Sequence, residues 1–279
     1  MIAFASNSLL CRAALKQTSI DAATFTFLRI FSGAAALWLI MKMRNVSAVA
    51  AVYDRRSEGN WLSAAALFVY AAAFSFAYHT LSAGMGALLL FGAVQATMVL
   101  WGLRKGEKLQ AIQIVGLVVA ASGLVALVFP GLSAPPFSGS ILMLGAGVAW
   151  GIYSLRGKTA SDAIAATAGN FLRAVPFAVA VSIIMLPWAR FDRTGIGYAV
   201  ISGAITSGLG YVIWYSVLSD SVPGRLGPAG AATVQLSVPV LAATGGILLL
   251  GEPITFRYVV ASIAVLGGIA LVIIEKNRE

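Results

Sequence analysis

Ser75, His79 and Ser82 recur at helical spacing, with Phe74 and Tyr78 beside them. Further along the chain Ser207, Tyr211, Trp214 and Tyr215 form a matching face. Hydroxyls and ring faces in this arrangement offer binding rather than covalent chemistry. Two such faces would make an apolar slot able to stack an aromatic side chain, or to hold an ammonium by cation–π attraction of ~0.5 to 2 kcal/mol. His79 is the one histidine in the chain, and the only side chain within an apolar segment of a type that changes charge near neutral pH.

Asn7, Gln95, Asn170 and Gln235 are uncharged amides inside apolar segments. Each must find hydrogen-bond partners there or cost several kcal/mol. Two uses are open: ties between helices, at ~0.6 kcal/mol on average, or an asymmetric Gln95/Gln235 pair reading the two ends of an amino acid. Trp101 and Trp150 complete the candidate substrate-contacting set of Asn7, Tyr78, His79, Gln95, Trp101, Trp150, Tyr211, Trp214, Tyr215 and Gln235. Trp and Tyr also form belts at membrane interfaces, the expected role of Trp38, Trp61 and Trp188. Arg29 and Arg173 could attract a carboxylate, but snorkelling to an interface or capping a helix end is the expectation for both.

What is missing narrows the chemistry. All ten acidic residues fall at the ends of apolar segments or between them. A proton-driven cation exporter needs a carboxylate to titrate within the membrane, so the expected pore is neutral and suits zwitterions by facilitated diffusion. One cysteine, Cys11, and one histidine cannot build a zinc site. No metal or cofactor is expected, and neither a serine dyad with its turn nor a pair of intramembrane acids is present to support an enzyme. The charge of +9 sits at segment ends, not in one patch, which argues against nucleic acid.

The elements that must position these residues follow from composition. With 59% hydrophobic and 10% charged residues, the chain reads as an all-α integral membrane protein with lipid as its surroundings. Runs near the ~20 residues needed to cross a bilayer predict ten transmembrane helices. They lie at roughly 2–15, 22–43, 60–81, 84–103, 111–129, 137–156, 167–188, 195–219, 228–250 and 255–274. The first lacks the basic start of a signal peptide and is read as a retained helix.

The chain also repeats itself. Tyr78-His79-Thr80-Leu81-Ser82 is echoed 137 positions later by Tyr215-Ser216-Val217-Leu218-Ser219, and Phe27-Leu28-Arg29 is echoed 144 positions later by Phe171-Leu172-Arg173. Each copy then has a Gly-Glu pair, Gly106-Glu107 and Gly251-Glu252, and a Gly-rich last segment. The halves are 1–132 and 133–279, five helices each. An odd number per half makes the repeat inverted, as in many secondary transporters, around a central cavity. With both termini cytoplasmic, twelve Lys and Arg fall on the inside against five outside, which sets the orientation.

Two five-helix halves, an Arg in the second helix of each, the paired Gly-Glu and the Gly-rich final helices together resemble the drug/metabolite transporter superfamily, in its EamA branch. Within it the chain is similar to the YddG-type exporters of aromatic and other amino acids. The resemblance implies a basket-like bundle that exports amino acids and related small metabolites across a bacterial inner membrane by alternating access, acting as a monomer. The chain departs from it in a short first helix without the usual Trp-Gly. Proton-coupled efflux of apolar cations is the rival within transport, and a structural or regulatory membrane protein is the rival class.

Overall fold

Asp21 turns the chain into its second helix by accepting hydrogen bonds from the amides of Ala23 and Thr24, both at 2.9 Å. The same device opens most of the others in the computed structural model, which describes residues 1–43, 59–106, 108–131, 134–157, 162–218 and 234–276. The helices are α1 (Ile2–Gln17), α2 (Ala22–Met43), α3 (Trp61–Tyr78), α4 (Ala83–Arg104), α5 (Ala111–Val128), α6 (Phe137–Gly157) and α7 (Ala163–Ile184). After a 3-10 turn at Leu186–Trp188 come α8 (Arg193–Ile201), a π-helical stretch Ser202–Leu209, α9 (Gly210–Leu218), α10 (Ser237–Leu250) and α11 (Phe256–Lys276). Asn60, Ser82, Asp162 and Asp192 cap the starts of α3, α4, α7 and α8. Gly251, in the left-handed region at φ 62°, ends α10.

Among the described residues eight helical segments are long and apolar enough to cross a membrane, α8 to Trp214 counting as one. Two predicted segments are shorter: α1 has 16 residues and α10 has 14. The seventh begins earlier than its hydropathy suggests because Asp162 supplies the cap, with its Oδ1 accepting from Ile164 and Ala165. The boundary predicted between residues 132 and 133, Glu107 of the first Gly-Glu pair, residue 219 at the end of the eighth predicted helix and residues 228–233 at the start of the ninth lie outside the described residues.

Helix contacts are set by small residues. A Cβ on Gly203 would stand 2.0 Å from the carbonyl oxygen of Arg29, so α2 and the π-helical stretch touch backbone to backbone. Gly147 of α6 meets the backbone of Leu90 and the side chain of Ala93 on α4, and Gly151 meets the side chain of Thr97, a small-xxx-small contact. Gly116 and Gly268 bring α5 against α11. The outer faces of those two helices carry Ile112, Val115, Val118, Val260 and Ile263, all exposed. A multi-pass membrane protein presents such a surface to lipid; in water it would associate.

Candidate functional site

Arg29 lies two turns into α2, and its side chain is 1% exposed. Its Nε donates to Ser207 Oγ at 3.1 Å, and its Nη2 donates to the hydroxyls of Tyr70 at 3.0 Å and Tyr211 at 3.1 Å. The guanidinium also lies over two rings, 5.2 Å from the centre of Tyr70 and 4.8 Å from that of Phe74. No described carboxylate reaches it. Asp21, Asp162 and Asp192 cap helices, and Glu252 pairs with Arg12. Snorkelling was the expectation for Arg29. It fails because α7 and the π-helical stretch pack against α2 at this level, and Gly203 closes the route outward.

The π-helical stretch explains how Ser207 reaches that position. Widening the turn rotates successive side chains relative to a regular helix, and such segments are frequent at functional sites. Here Ser202 and Thr206 both donate to Asn7 Oδ1 while Ser207 takes the bond from Arg29. Asn7 completes the link by donating from Nδ2 to Tyr70 OH at 3.4 Å. Four segments of chain therefore meet in one buried polar cluster.

Rings surround this cluster. Phe4 stacks on Tyr211 at 5.8 Å and meets the edges of Trp150 at 5.8 Å and Trp214 at 5.7 Å. Trp150 lies 4.7 Å from Tyr211 and 4.9 Å from Tyr70. Phe74 and Tyr211, at corresponding positions of the sequence repeat, both contact Arg29. Trp214 is 6% exposed, and among the described residues its indole N–H has no partner. Nη1 of Arg29 is likewise buried without one.

The other predicted residues are placed as follows. Tyr78 is buried beside Phe74, with ring centres 4.6 Å apart, and donates to the carbonyl of Ala83 at 3.2 Å. His79 is the next residue, yet it is exposed, because α3 ends at Tyr78. Gln95 and Gln235 are buried, and among the described residues Nε2 of the first and Oε1 of the second have no partner. The side chain of Tyr215 lies outside the described residues.

Trp101 is 48% exposed and lines a separate cavity of about 730 Å³ with Asn60, Ser63, Thr97, Arg156 and Asn170, where α3 and α7 begin and α4 and α6 end. Arg156 holds that rim by donating to Ser63 Oγ at 3.0 Å and Asn60 Oδ1 at 3.1 Å.

Sequence reasoning missed Phe4, Tyr70, Ser202 and Thr206, and it read Arg29 as peripheral. One signal was available for Arg29: a charged group within a 22-residue apolar helix, with no acid at helical spacing to pair with it.

Residues 137–274 match the model of the EamA-like transporter family. Over 276 residues the chain is 54% identical to an uncharacterised protein of Pseudomonas aeruginosa, covering 99% of this chain and 92% of that one. It is 28% identical over 204 residues to an uncharacterised transporter of Archaeoglobus fulgidus, 70% of each. A protein of solved crystal structure shares the fold with a TM-score of 0.67 at 15% identity, covering 99% of this chain and 98% of that one.

Proposed function

Because the chain belongs to the EamA-like transporter family, we propose that it exports neutral amino acids, aromatic ones among them, and related small metabolites. The transport is alternating access across a bacterial inner membrane. In this reading α1 and α10 join the eight longer segments as ten spans. The halves 1–132 and 133–279 form an inverted repeat around the Arg29 cluster, both termini are cytoplasmic, and the working unit is a monomer. No proton is coupled.

The observation that carries the reading is the buried polar and aromatic centre built from both halves. Tyr70 and Phe74 come from the first, and Trp150, Ser207 and Tyr211 from the second. A solute passing between the halves meets ring faces and hydroxyls, the groups that hold the body of an amino acid. The fixed charge of Arg29 in that centre repels cations, and no described carboxylate offsets it, which weighs against efflux of apolar cations.

Counterflow in liposomes tests this reading, with unlabelled amino acid inside and labelled amino acid outside. Uptake of phenylalanine or leucine that ignores an imposed pH gradient supports it. Gradient-dependent movement of a lipophilic cation, with no amino-acid uptake, overturns it.

A further inference from the structure

Arg29 carries five N–H donors. Three are used, by Ser207, Tyr70 and Tyr211, and among the described residues the two on Nη1 have no partner. An unmet charged donor in a membrane protein's interior is costly, so such residues sit there for a use. Trp214 supplies a second unmet donor in the same ring cluster. Its ring meets Phe4, which stacks on Tyr211, whose hydroxyl is 3.1 Å from Arg29 Nη2. Both groups can only donate, and both lack an acceptor among the described residues.

We propose that Arg29 Nη1 and Trp214 Nε1 form the subsite for the substrate's carboxylate, and that the transporter selects solutes by that group. This rests on the amino-acid reading above and deepens it. A carboxylate is acceptor-only and offers two oxygens, one for each of the two unmet donors, and it brings the negative charge Arg29 lacks. The rings of Phe4, Trp150 and Tyr211 then contact the apolar body. Phe4 packs against both the Trp214 ring and the Tyr211 ring that bonds Arg29, so a carboxylate that takes both donors requires the Phe4 ring to move aside on α1. The discrimination follows the general rule for buried polar sites: an analogue lacking the group leaves the donors unpaired again and is rejected. Replacing the carboxylate by an amide is such a change, because it removes the charge and puts an N–H₂ where an acceptor is needed.

The experiment measures binding by the rise in melting temperature of the purified full-length protein, titrated with L-phenylalanine and L-phenylalaninamide, then with L-leucine and L-leucinamide. Counterflow is run in parallel. The wild type is expected to prefer each acid over its amide by about tenfold or more, as loss of a charge-assisted hydrogen bond implies. Trp214→Phe keeps an aromatic ring but removes the N–H, and should lower that ratio severalfold while leaving the protein as stable as before or more so. Arg29→Gln should abolish the preference. A wild-type ratio near one, or no stabilisation by any of the four compounds, overturns the proposal whatever the variants do. So does an undiminished ratio in Trp214→Phe and Arg29→Gln. Should Arg29→Gln fail to fold, the wild-type ratio and Trp214→Phe decide. Acid-selective binding without counterflow would leave the carboxylate subsite standing and overturn the transport reading alone.

Discussion

Arg12 Nε lies 2.9 Å from Glu252 Oε1, and this nearly buried pair ties the first helix of the chain to the loop before the last. The tie reaches further. Arg12 Nη1 donates to the carbonyls of Tyr78 at 2.9 Å and His79 at 3.1 Å, and Glu252 Oε2 accepts from the amide of Ala83 at 2.8 Å. One ion pair thus joins α1, the end of α3, the start of α4 and the approach to α11. Removing one partner strands the other, so Arg12→Met is expected to cost about 3 to 5 kcal/mol, read as a fall in melting temperature. Arg12→Met/Glu252→Met, which removes both charges, should recover part of that loss. The wholly buried Cys11, the one cysteine in the chain, reports the geometry. Its labelling by a maleimide should be faster in Arg12→Met than in the wild type, and an unchanged rate would show that the pair does not hold this end shut.

Tyr70 and Tyr211 both bind Arg29, but not equally. The Tyr70 hydroxyl accepts from Arg29 at 3.0 Å, Tyr211 at 3.3 Å and Asn7 at 3.4 Å, while that of Tyr211 accepts from Arg29 at 3.1 Å and donates to Tyr70. Tyr70→Phe should therefore destabilise more than Tyr211→Phe, by about 2 to 3 against about 1 to 2 kcal/mol, since each leaves buried donors unmet. Thermal melts of the two variants in the same detergent check the order, and the reverse order would mean that the Asn7 contact contributes nothing.

These residues also mark where reading the sequence stopped working. Hydropathy found the helices, because an apolar run of bilayer length has few alternatives, and capping residues such as Asp162 and Asp192 explain the small shifts at their starts. Helical spacing put Ser207 and Tyr211 on one face and Phe74 beside another, and all three contact Arg29. Arg29 itself was misread, since distance from a helix end suggests snorkelling only when the outward path is open, and packing against Gly203 closes it. Tyr78 and His79 are neighbours in sequence, yet one is buried and the other exposed, because the helix ends between them. No periodicity announces a π-helical stretch, so the placement of Ser202 and Thr206 was not legible.

Gly203 and Gly197 offer a test of backbone packing within a few turns of each other. A Cβ at Gly203 would stand 2.0 Å from both the Arg29 carbonyl oxygen and Ser32 Oγ, and the first of these cannot rotate away. At Gly197 nothing lies within 4 Å. Gly203→Ala is expected to abolish folded expression, because α2 must move away from the π-helical stretch and pull Arg29 off Ser207 with it. Gly197→Ala should be neutral or stabilising, by up to about 1 kcal/mol from helix propensity. Size-exclusion profiles and melting temperatures of the two variants decide it; a well-folded Gly203→Ala would show that this contact is looser than drawn.

Asp21 gives the fold a pH dependence of calculable sign. Its partial burial would raise the carboxyl's pKa, but the amides of Arg190, Thr24 and Ala23 and the hydroxyl of Thr24 outweigh that and hold it below the ordinary value. One oxygen accepts from Ala23 and Thr24 at the start of α2, the other from Arg190 at 2.8 Å before α8. A carboxyl whose pKa is lower folded than unfolded binds fewer protons in the native state. Its contribution to stability is complete above the unfolded value of about 3.9 and disappears as the pH falls through the folded one. Melting temperature should therefore drop more steeply below about pH 4 in the wild type than in Asp21→Asn, whose amide keeps an acceptor for the helix but has no charge to lose. Above that range the variant should be less stable, with the deficit shrinking as the medium is acidified. Parallel wild-type and variant curves from neutral pH downward would mean that the cap acts through its hydrogen bonds alone.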